Sequence, residues 1–579
     1  MECADGAEGA ADARPAAQSG PSRSASAPLL PTGWPFLVFA AFALLDYWIY
    51  RGALRSPFFS DDIGYIVSSP YTRELSLSGV AAIFDPFGAA SLYTANYAPV
   101  HLLLTTIERS IFAGDVLGFH LVNVGIHALN STLLVALLLR SRVPVVGALL
   151  GGLIFAVHPA NVEAVAWISQ LKTNASLALS LGALLAFFRY PLFATGLFAL
   201  ALLTKATALF ALPSAIAFAW ARPGSASAGR TWMWLGVWVV VFGVYAVPQL
   251  GFFGAMGAVD VPAYEDPWVH FRTIASVGTR YLVMAATGYG VSAFHEPPPV
   301  FSAVDPWWLA ALPLGALLAW RTFTTLRNRS EEGAWWLVAI AAFAPVSQFF
   351  PFLNPVANRY LYFILPGLIG GTLLAYGSWR SRLSSASRVD FISAGAVIAL
   401  SVFFAVGSID RARLWSNPTL LYLDAARHYP EGGTAAFLAA RSAAQQGDVK
   451  AAVGHLRRAA DHGIDRFMAM RNDPGLAPIR DSPEFEQLIH DMAGRWIERA
   501  SRREDPSPAE LRVIAQAHMI REEYARAEVL LEEALRAGGP FEDVVRSELE
   551  ALRAFMKESS DQEAEEAAER GGSHRTQSH

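Results

Sequence analysis

The sequence predicts an all-α protein in two parts, a polytopic membrane domain of about eleven transmembrane helices and a C-terminal α-helical repeat domain. Three observations carry that expectation. Of the 579 residues, 53% are hydrophobic and only 16% are charged, with a mean hydropathy of +0.32. The apolar runs fall almost entirely between about 33 and 407, and arginines punctuate the loops between them. Beyond about 408 the composition turns abruptly to Ala, Glu, Arg and Leu. The net charge is −5 without a basic run, so nothing points to a nucleic-acid partner. The only cysteine is Cys3, which leaves no intrachain disulfide and no cysteine-based metal site.

In chain order, residues 1–32 are rich in Ala, Ser, Gly and Pro without periodicity and read as a disordered cytoplasmic tail. The following run is too long for a secretory signal and is expected to be the first spanning helix, with Asp46 in its far third. Apolar runs near 33–50, 119–139, 143–157, 175–188, 192–204, 206–220, 231–250, 304–321, 334–350, 361–378 and 390–407 give the eleven helices. The stretch 192–220 reads either as a hairpin or as one long helix. Arg140, Arg142, Arg189, Arg222, Arg230, Arg321, Arg327, Arg329, Arg380, Arg382 and Arg388 all fall in alternate loops, which the positive-inside rule assigns to the cytoplasm. An odd count then places the domain beyond 408 outside, in the periplasm of a bacterial inner membrane.

On that topology the unusual polar residues share the outer face. The first outer loop carries Asp61-Asp62, Asn96-Tyr97-Ala98-Pro99 and His101. The second carries His158-Pro159-Ala160-Asn161-Val162-Glu163 and Lys172, with Pro159 favouring a helix break. A long outer segment, 251–303, contains Asp260, Glu265 and Asp266, expected as solvated charges, and an apolar stretch with Arg272 and Arg280 expected to lie at the interface. The last outer loop reads Asn354-Pro355-Val356-Ala357-Asn358-Arg359-Tyr360-Leu361-Tyr362. Small-residue helix pairs recur at 434–446 with 449–461 and at 508–520 with 524–537, a tetratricopeptide-like pattern over 408–557. The stretch from Asn472-Asp473-Pro474 to Phe485 reads as a linker helix, and 558–579 as a disordered tail.

Asp-Asp after the first helix, Asn-Tyr-x-Pro, Gly118-Phe119-His120-Leu121-Val122-Asn123, the HPANVEAVAW segment and the Asn358-Arg359-Tyr360 motif, in this order, resemble the GT-C glycosyltransferases. Within them the protein O-mannosyltransferases with transmembrane and tetratricopeptide segments are the most similar. The chain departs from that pattern at Ala98, where the family commonly has Arg, and at Asn358, where it has Glu. The resemblance implies inverting transfer of a sugar from a polyprenyl-phosphate donor to a protein, glycan or lipid acceptor at the outer face. It implies no firm cofactor, leaving a divalent metal open, and an acceptor held by the repeat domain.

Such a reaction needs a carboxylate base for the acceptor hydroxyl and cations for the departing lipid phosphate. Asp61 and Asp62 are the candidate bases; their side chains diverge on an extended loop, so one of them serves, with Glu163 next in line. Lys172, Arg359 and Lys205 are the candidate phosphate ligands. Only four lysines occur in the chain, and two of them, Lys172 and Lys205, interrupt apolar sequence. Lys205 could equally snorkel to the headgroups. His158 either donates to the phosphate or bonds a loop carbonyl, and Glu163 orients Lys172 or the acceptor. Asn96, Tyr97, Tyr360 and Tyr362 are candidate substrate contacts, the last two alternatively belt aromatics. His120 and His127 stand two helical turns apart and read as packing residues rather than metal ligands. A transporter or flippase of lipid-linked sugars would place its charges at mid-bilayer, and a membrane-anchored repeat scaffold would need no outer-loop polar cluster.

Overall fold

The computed structural model describes residues 32–94, 96–222, 228–255, 266–349, 354–383, 386–501, 506, 508–537 and 542–573. Asp260, Glu265, Pro351-Phe352-Leu353, nearly all of the first tail and 574–579 lie outside them. The chain is 80% helical, and no strand occurs among the described residues.

The first helix, α1 (Trp34–Tyr50), falls where the sequence placed it. The loop after it folds into α2 (Leu77–Phe84), α3 (Ala89–Thr94) and α4 (Pro99–Phe112). Next come α5 (Val116–Arg140), α6 (Val145–Val157), the short α7 (Val162–Ala166) and α8 (Leu171–Ala186). The 192–220 stretch is two helices, α9 (Pro191–Thr204) and α10 (Ala211–Ala221), parted at Lys205. Then follow α11 (Ala228–Ala255), α12 (Pro267–Thr287), α13 (Pro306–Arg327) and α14 (Glu331–Phe343). Helices α15 (Asn358–Arg380) and α16 (Ala386–Leu414) complete the apolar part.

Among the described residues, five segments are long and apolar enough to cross a bilayer: Val116–Arg140, Gly229–Leu250, Pro306–Arg327, Asn358–Arg380 and Arg388–Leu414. Helix α6 and Pro159–Ala166, bent by 50°, make a sixth if they are one span. Trp34–Tyr50, Pro191–Thr204 and Ala206–Ala221 are apolar but shorter. These helices make the chain an integral membrane protein, but they do not reach the eleven spans expected. Helix α8 opens on Lys172-Thr173-Asn174, and α14 has only 13 residues with Glu331 and Glu332 in its first turn. Helix α12, with Arg272 and Arg280, is not among the candidate spans.

The arginine-rich loops meet at one end of the helices. Arg222 forms a bidentate pair with Glu331 (2.6 and 2.9 Å), and Arg321 forms another with Glu332 (2.6 and 2.8 Å). Arg380 pairs with Asp390, and Trp335 donates to Ser141 Oγ at 3.0 Å. Together these contacts join the ends of α5, α10, α13 and α15 to the beginnings of α14 and α16.

Helices α14 and α15 approach closely because glycines face the contact. A Cβ on Gly367 would stand 2.3 Å from the Ala339 backbone nitrogen, and one on Gly370 would stand 2.1 Å from the Trp335 ring. Small residues permit such an approach where apolar burial gives helices no advantage over lipid.

Beyond the apolar part lie α17 (Pro418–His428), α18 (Gly433–Gln445), α19 (Val449–Asp461) and α20 (Phe467–Arg471). They are followed by α21 (Pro483–Ala500), α22 (Pro508–Ile520), α23 (Tyr524–Ala537) and α24 (Glu542–Ser573). Helices α18 and α19 pair, as do α22 and α23, through buried alanines such as Ala444, Ala459, Ala515 and Ala527. The expected linker helix is instead a 3-10 segment, Pro474–Ile479, then the start of α21. Pro474, Pro478 and Pro483 lack the N–H groups that one continuous helix would need. Helix α24 also runs through most of the segment expected as a tail, in keeping with its Ala and Glu content.

Overpacking the α14–α15 contact is the direct check on this fold. Gly370→Ala should cost about 1–3 kcal/mol and lower the melting temperature in detergent. Gly377→Ala, on the same helix with nothing within 4 Å of its Cβ position, should not. Equal melting temperatures for both variants would contradict the packing described.

Candidate functional site

The segment 158–170 breaks into a 3-10 turn, the short α7 and a second 3-10 turn while buried, so the backbone groups at the breaks need partners from elsewhere. Asparagines supply them. Asn123 Nδ2 of α5 donates to the carbonyls of Trp167 and Ile168, both at 3.2 Å. Asn174 Nδ2 of α8 donates to Ala164 O at 2.6 Å, and Asn161 Nδ2 to Phe155 O at 2.7 Å. His158 serves the same purpose: Nδ1 accepts from Ala160 N–H at 3.2 Å and Nε2 donates to Ala285 O at 3.1 Å. Both ring nitrogens are used, so His158 is a loop anchor and not a phosphate ligand. Gly288, left-handed at φ +66°, ends α12 against Pro159, where a Cβ would come within 2.8 Å of the proline ring.

The anchored loop presents Glu163, which forms an ion pair with Arg359 and accepts its backbone N–H at 3.2 Å. Glu163 is 2% exposed. It therefore orients Arg359, rather than Lys172 or an acceptor, and is not free to act as a base. The Arg359 guanidinium lies over the rings of Trp167 (5.6 Å) and Tyr360 (5.0 Å).

The two adjacent aspartates part company. Asp62 is buried, with Oδ2 accepting from Phe59 N–H at 3.0 Å and Oδ1 from Ser169 N–H at 2.7 Å and from its hydroxyl. It ties the first loop to the 158–170 segment and is not placed to receive an acceptor's proton. Asp61 is 44% exposed and faces Lys172 Nζ at 3.5 Å. Lys172 also stands 4.6 Å above the Tyr65 ring, which packs edge-on against His101.

Lys205 Nζ donates to Thr173 Oγ1 at 2.6 Å, one residue from Lys172. It lies within electrostatic reach of Lys172, Arg359, Glu163 and Asp61. Three cations and two carboxylates from four separate stretches of chain thus gather at the end of the helices opposite the arginine loops. The carboxylates are already matched by the chain's own cations, a donor set that does not fit a divalent ion. Among the described residues no group of three His, Cys, Asp or Glu side chains is arranged to hold a metal.

The other expected contacts are elsewhere. Asn96 and Tyr97 turn to α11, where Gln249 donates to Asn96 Oδ1 at 3.1 Å and accepts from Tyr97 N–H at 3.3 Å. Tyr362 is fully buried one turn below Arg359: it accepts from Asn130, donates to Asn174 and lies 2.8 Å from His127 Nδ1. It is neither a belt aromatic nor a sugar contact. Tyr360 is 4% exposed and packs under Arg359. His120 meets Ser56 O at 3.3 Å and His127 meets Ala156 O at 3.0 Å, both as packing residues.

Sequence reasoning missed Tyr65, Thr173, Ser169 and Trp415. Trp415 stacks on Trp167 at 5.8 Å, and both line a small cleft with Phe59 and Asp62. Only the position of Trp415, just past the last apolar run, hinted at a role.

No family profile matches the chain, and no curated protein matches it. Two solved structures show a likeness, both of the Archaeoglobus fulgidus oligosaccharyltransferase. The form tethered to an acceptor peptide containing the NVT sequon is 16% identical, with a TM-score of 0.38, over 67% of this chain and 56% of that one. The apo form is 16% identical, with a TM-score of 0.37, over 66% and 56%. The chain thus spans little more than half the length of these structures.

Burial pushes the Asp62 carboxyl up to about 6, against the lowering effect of the Ser169 and Phe59 hydrogen bonds. A carboxyl raised on folding favours the protonated state, so its contribution is fully present below the ordinary carboxylate range and is lost as pH rises through about 6. Melting curves of the wild type and Asp62→Asn should therefore shift relative to each other between pH 4 and 7, with the wild type losing ground as pH rises. A difference in melting temperature independent of pH would contradict the burial described.

Proposed function

We propose that the protein is a membrane glycosyltransferase of the GT-C type, transferring a sugar with inversion from a polyprenyl-phosphate donor to a hydroxyl acceptor at the outer face. The convergence of Lys172, Lys205 and Arg359 beside a half-exposed Asp61 carries this reading. A lipid phosphate at the bilayer surface needs cations that approach from the protein while its chain stays in hydrocarbon. Arg359 offers a planar fork, fixed by Glu163, and the lysines act as point charges.

In the reaction the acceptor oxygen attacks the anomeric carbon and its proton passes to Asp61. The bond from the anomeric carbon to the phosphate oxygen breaks, leaving polyprenyl phosphate with one more negative charge. Lys172 faces Asp61 until the acceptor displaces that contact, and then serves the phosphate. The charge that grows on the leaving group makes these cations more valuable in the transition state than in the ground state. The repeat domain is the proposed acceptor platform, and the positive-inside rule sets the arginine-rich end in the cytoplasm.

A transporter of lipid-linked sugars draws on one observation: Asp46 of α1 is fully buried, and both its oxygens lack a hydrogen-bond partner. A transporter would move the donor without consuming it, so the assay below separates the two readings.

Purified protein in lipid, given a panel of polyprenyl-phosphate sugars and hydroxyl acceptors, should release free lipid phosphate. Asp61→Asn should lower turnover by about 10²–10⁴ while folding normally. Lys172→Gln and Arg359→Gln should lower kcat more than they raise the donor KM. Near wild-type turnover in Asp61→Asn, or a purely KM effect at both cations, would remove these roles.

A further inference from the structure

The stretch between α12 and α13 straps the repeat domain to the beginning of α15. Asp424 of α17 takes both guanidinium nitrogens of Arg411 (2.7 and 2.6 Å) and accepts the Ala293 backbone N–H at 2.9 Å. Phe294 stacks on Tyr422 at 5.4 Å, and Glu296 accepts the Thr434 backbone N–H at 3.2 Å. Between these contacts sits His295, with Nε2 2.7 Å from Asn358 Oδ1 and Nδ1 2.9 Å from the Tyr429 hydroxyl.

The proton positions along this chain are fixed by chemistry. Asn358 Nδ2 donates to the Ser292 carbonyl, which can only accept, so Oδ1 must face His295. His295 then donates from Nε2, which leaves a lone pair on Nδ1, and Tyr429 donates its hydroxyl proton to it. The imidazole is neutral, in line with burial lowering His295 to about 4. Asn358 is the first residue of α15 and the next is Arg359. A glutamate at 358, as in the family the sequence resembles, could not donate to Ser292.

We infer that His295 is a positioning residue, through which Tyr429 of the repeat domain fixes the first turn of α15 and hence the Arg359 guanidinium. This rests on the proposed role of Arg359 at the donor phosphate. Tyr281 also holds that turn, accepting from Ala357 N–H at 3.0 Å, so loss of His295 loosens Arg359 without releasing it. The repeat domain is on this view part of the catalytic unit and not a tethered accessory.

The test is steady-state kinetics of the full chain in lipid, against donor concentration, for His295→Ala, His295→Gln, Tyr429→Phe and Arg359→Gln. His295→Ala and Tyr429→Phe should each lower kcat about ten-fold with little change in donor KM, the scale of a modest misplacement of a catalytic group. Glutamine offers one donor and one acceptor, so His295→Gln should recover most of the loss. Wild-type kinetics in His295→Ala with an impaired Arg359→Gln would overturn the inference while leaving the site reading intact. A His295→Gln no better than His295→Ala would also overturn it, since mere filling of space would then explain the loss. Wild-type kinetics in Arg359→Gln would instead remove the site reading, and this inference with it. Should His295→Ala fail to fold, Tyr429→Phe, which deletes a single hydroxyl, decides the question.

Discussion

The structure depends on burying a broken stretch, 158–170, in which two 3-10 turns and the short α7 stand in place of one continuous helix. Every carbonyl that such a stretch turns inward must find a donor, because an unpaired one costs several kcal/mol in hydrocarbon. Asn123 of α5 and Asn174 of α8 donate to carbonyls of the stretch, and Asn161 and His158 tie it to α6 and α12. Once the loop is fixed, it becomes the frame on which the site is assembled. Its Glu163 receives Arg359, and its Ser169 receives Asp62.

The electrostatics follow from that frame. Burying a single ion is costly, so Glu163 and Arg359 come as a pair with a backbone N–H added. Asp61 stays partly in water and faces Lys172 across a longer gap. Lys205 stands beside both ion pairs, on the side of Lys172. The Lys205 amine meets the Thr173 hydroxyl at 2.6 Å. The aromatic faces of Tyr65, Trp167 and Tyr360 flank the cations and shield them from water without neutralising them.

Much of the helix plan was legible because apolar length and small-residue pairing are local signals. The breaks at His158 and Lys205 and the pairs α18–α19 and α22–α23 lie within a residue or two of their expected places. The gathering of Asp61, Glu163, Lys172, Lys205 and Arg359 was legible through topology, since alternating loops share a face. Partners were not. Glu163 binds Arg359, 196 residues away, and not the nearby Lys172. Nothing in Asp61-Asp62 says which is buried; that is settled by Ser169, on a segment the chain reaches 107 residues later. Tyr362 looked like an interfacial ring, but periodicity reports a face and not what covers it, and here Asn130, Asn174 and His127 do. The eleven expected spans are not all matched by long apolar helices among the described residues, for a related reason. Short helices such as α8 and α14 carry polar first turns that composition alone does not separate from loop.

The most direct measurement of the central claim is where a lipid phosphate sits. A polyprenyl phosphate bearing a photoactivatable group beside its phosphate, cross-linked in native membranes and mapped by peptide mass spectrometry, should label the segments around Lys172, Lys205 and Arg359. Excess unlabelled polyprenyl phosphate should abolish that labelling. Specific labelling confined to the opposite end, around Arg222, Arg321 and Glu331, would contradict the account.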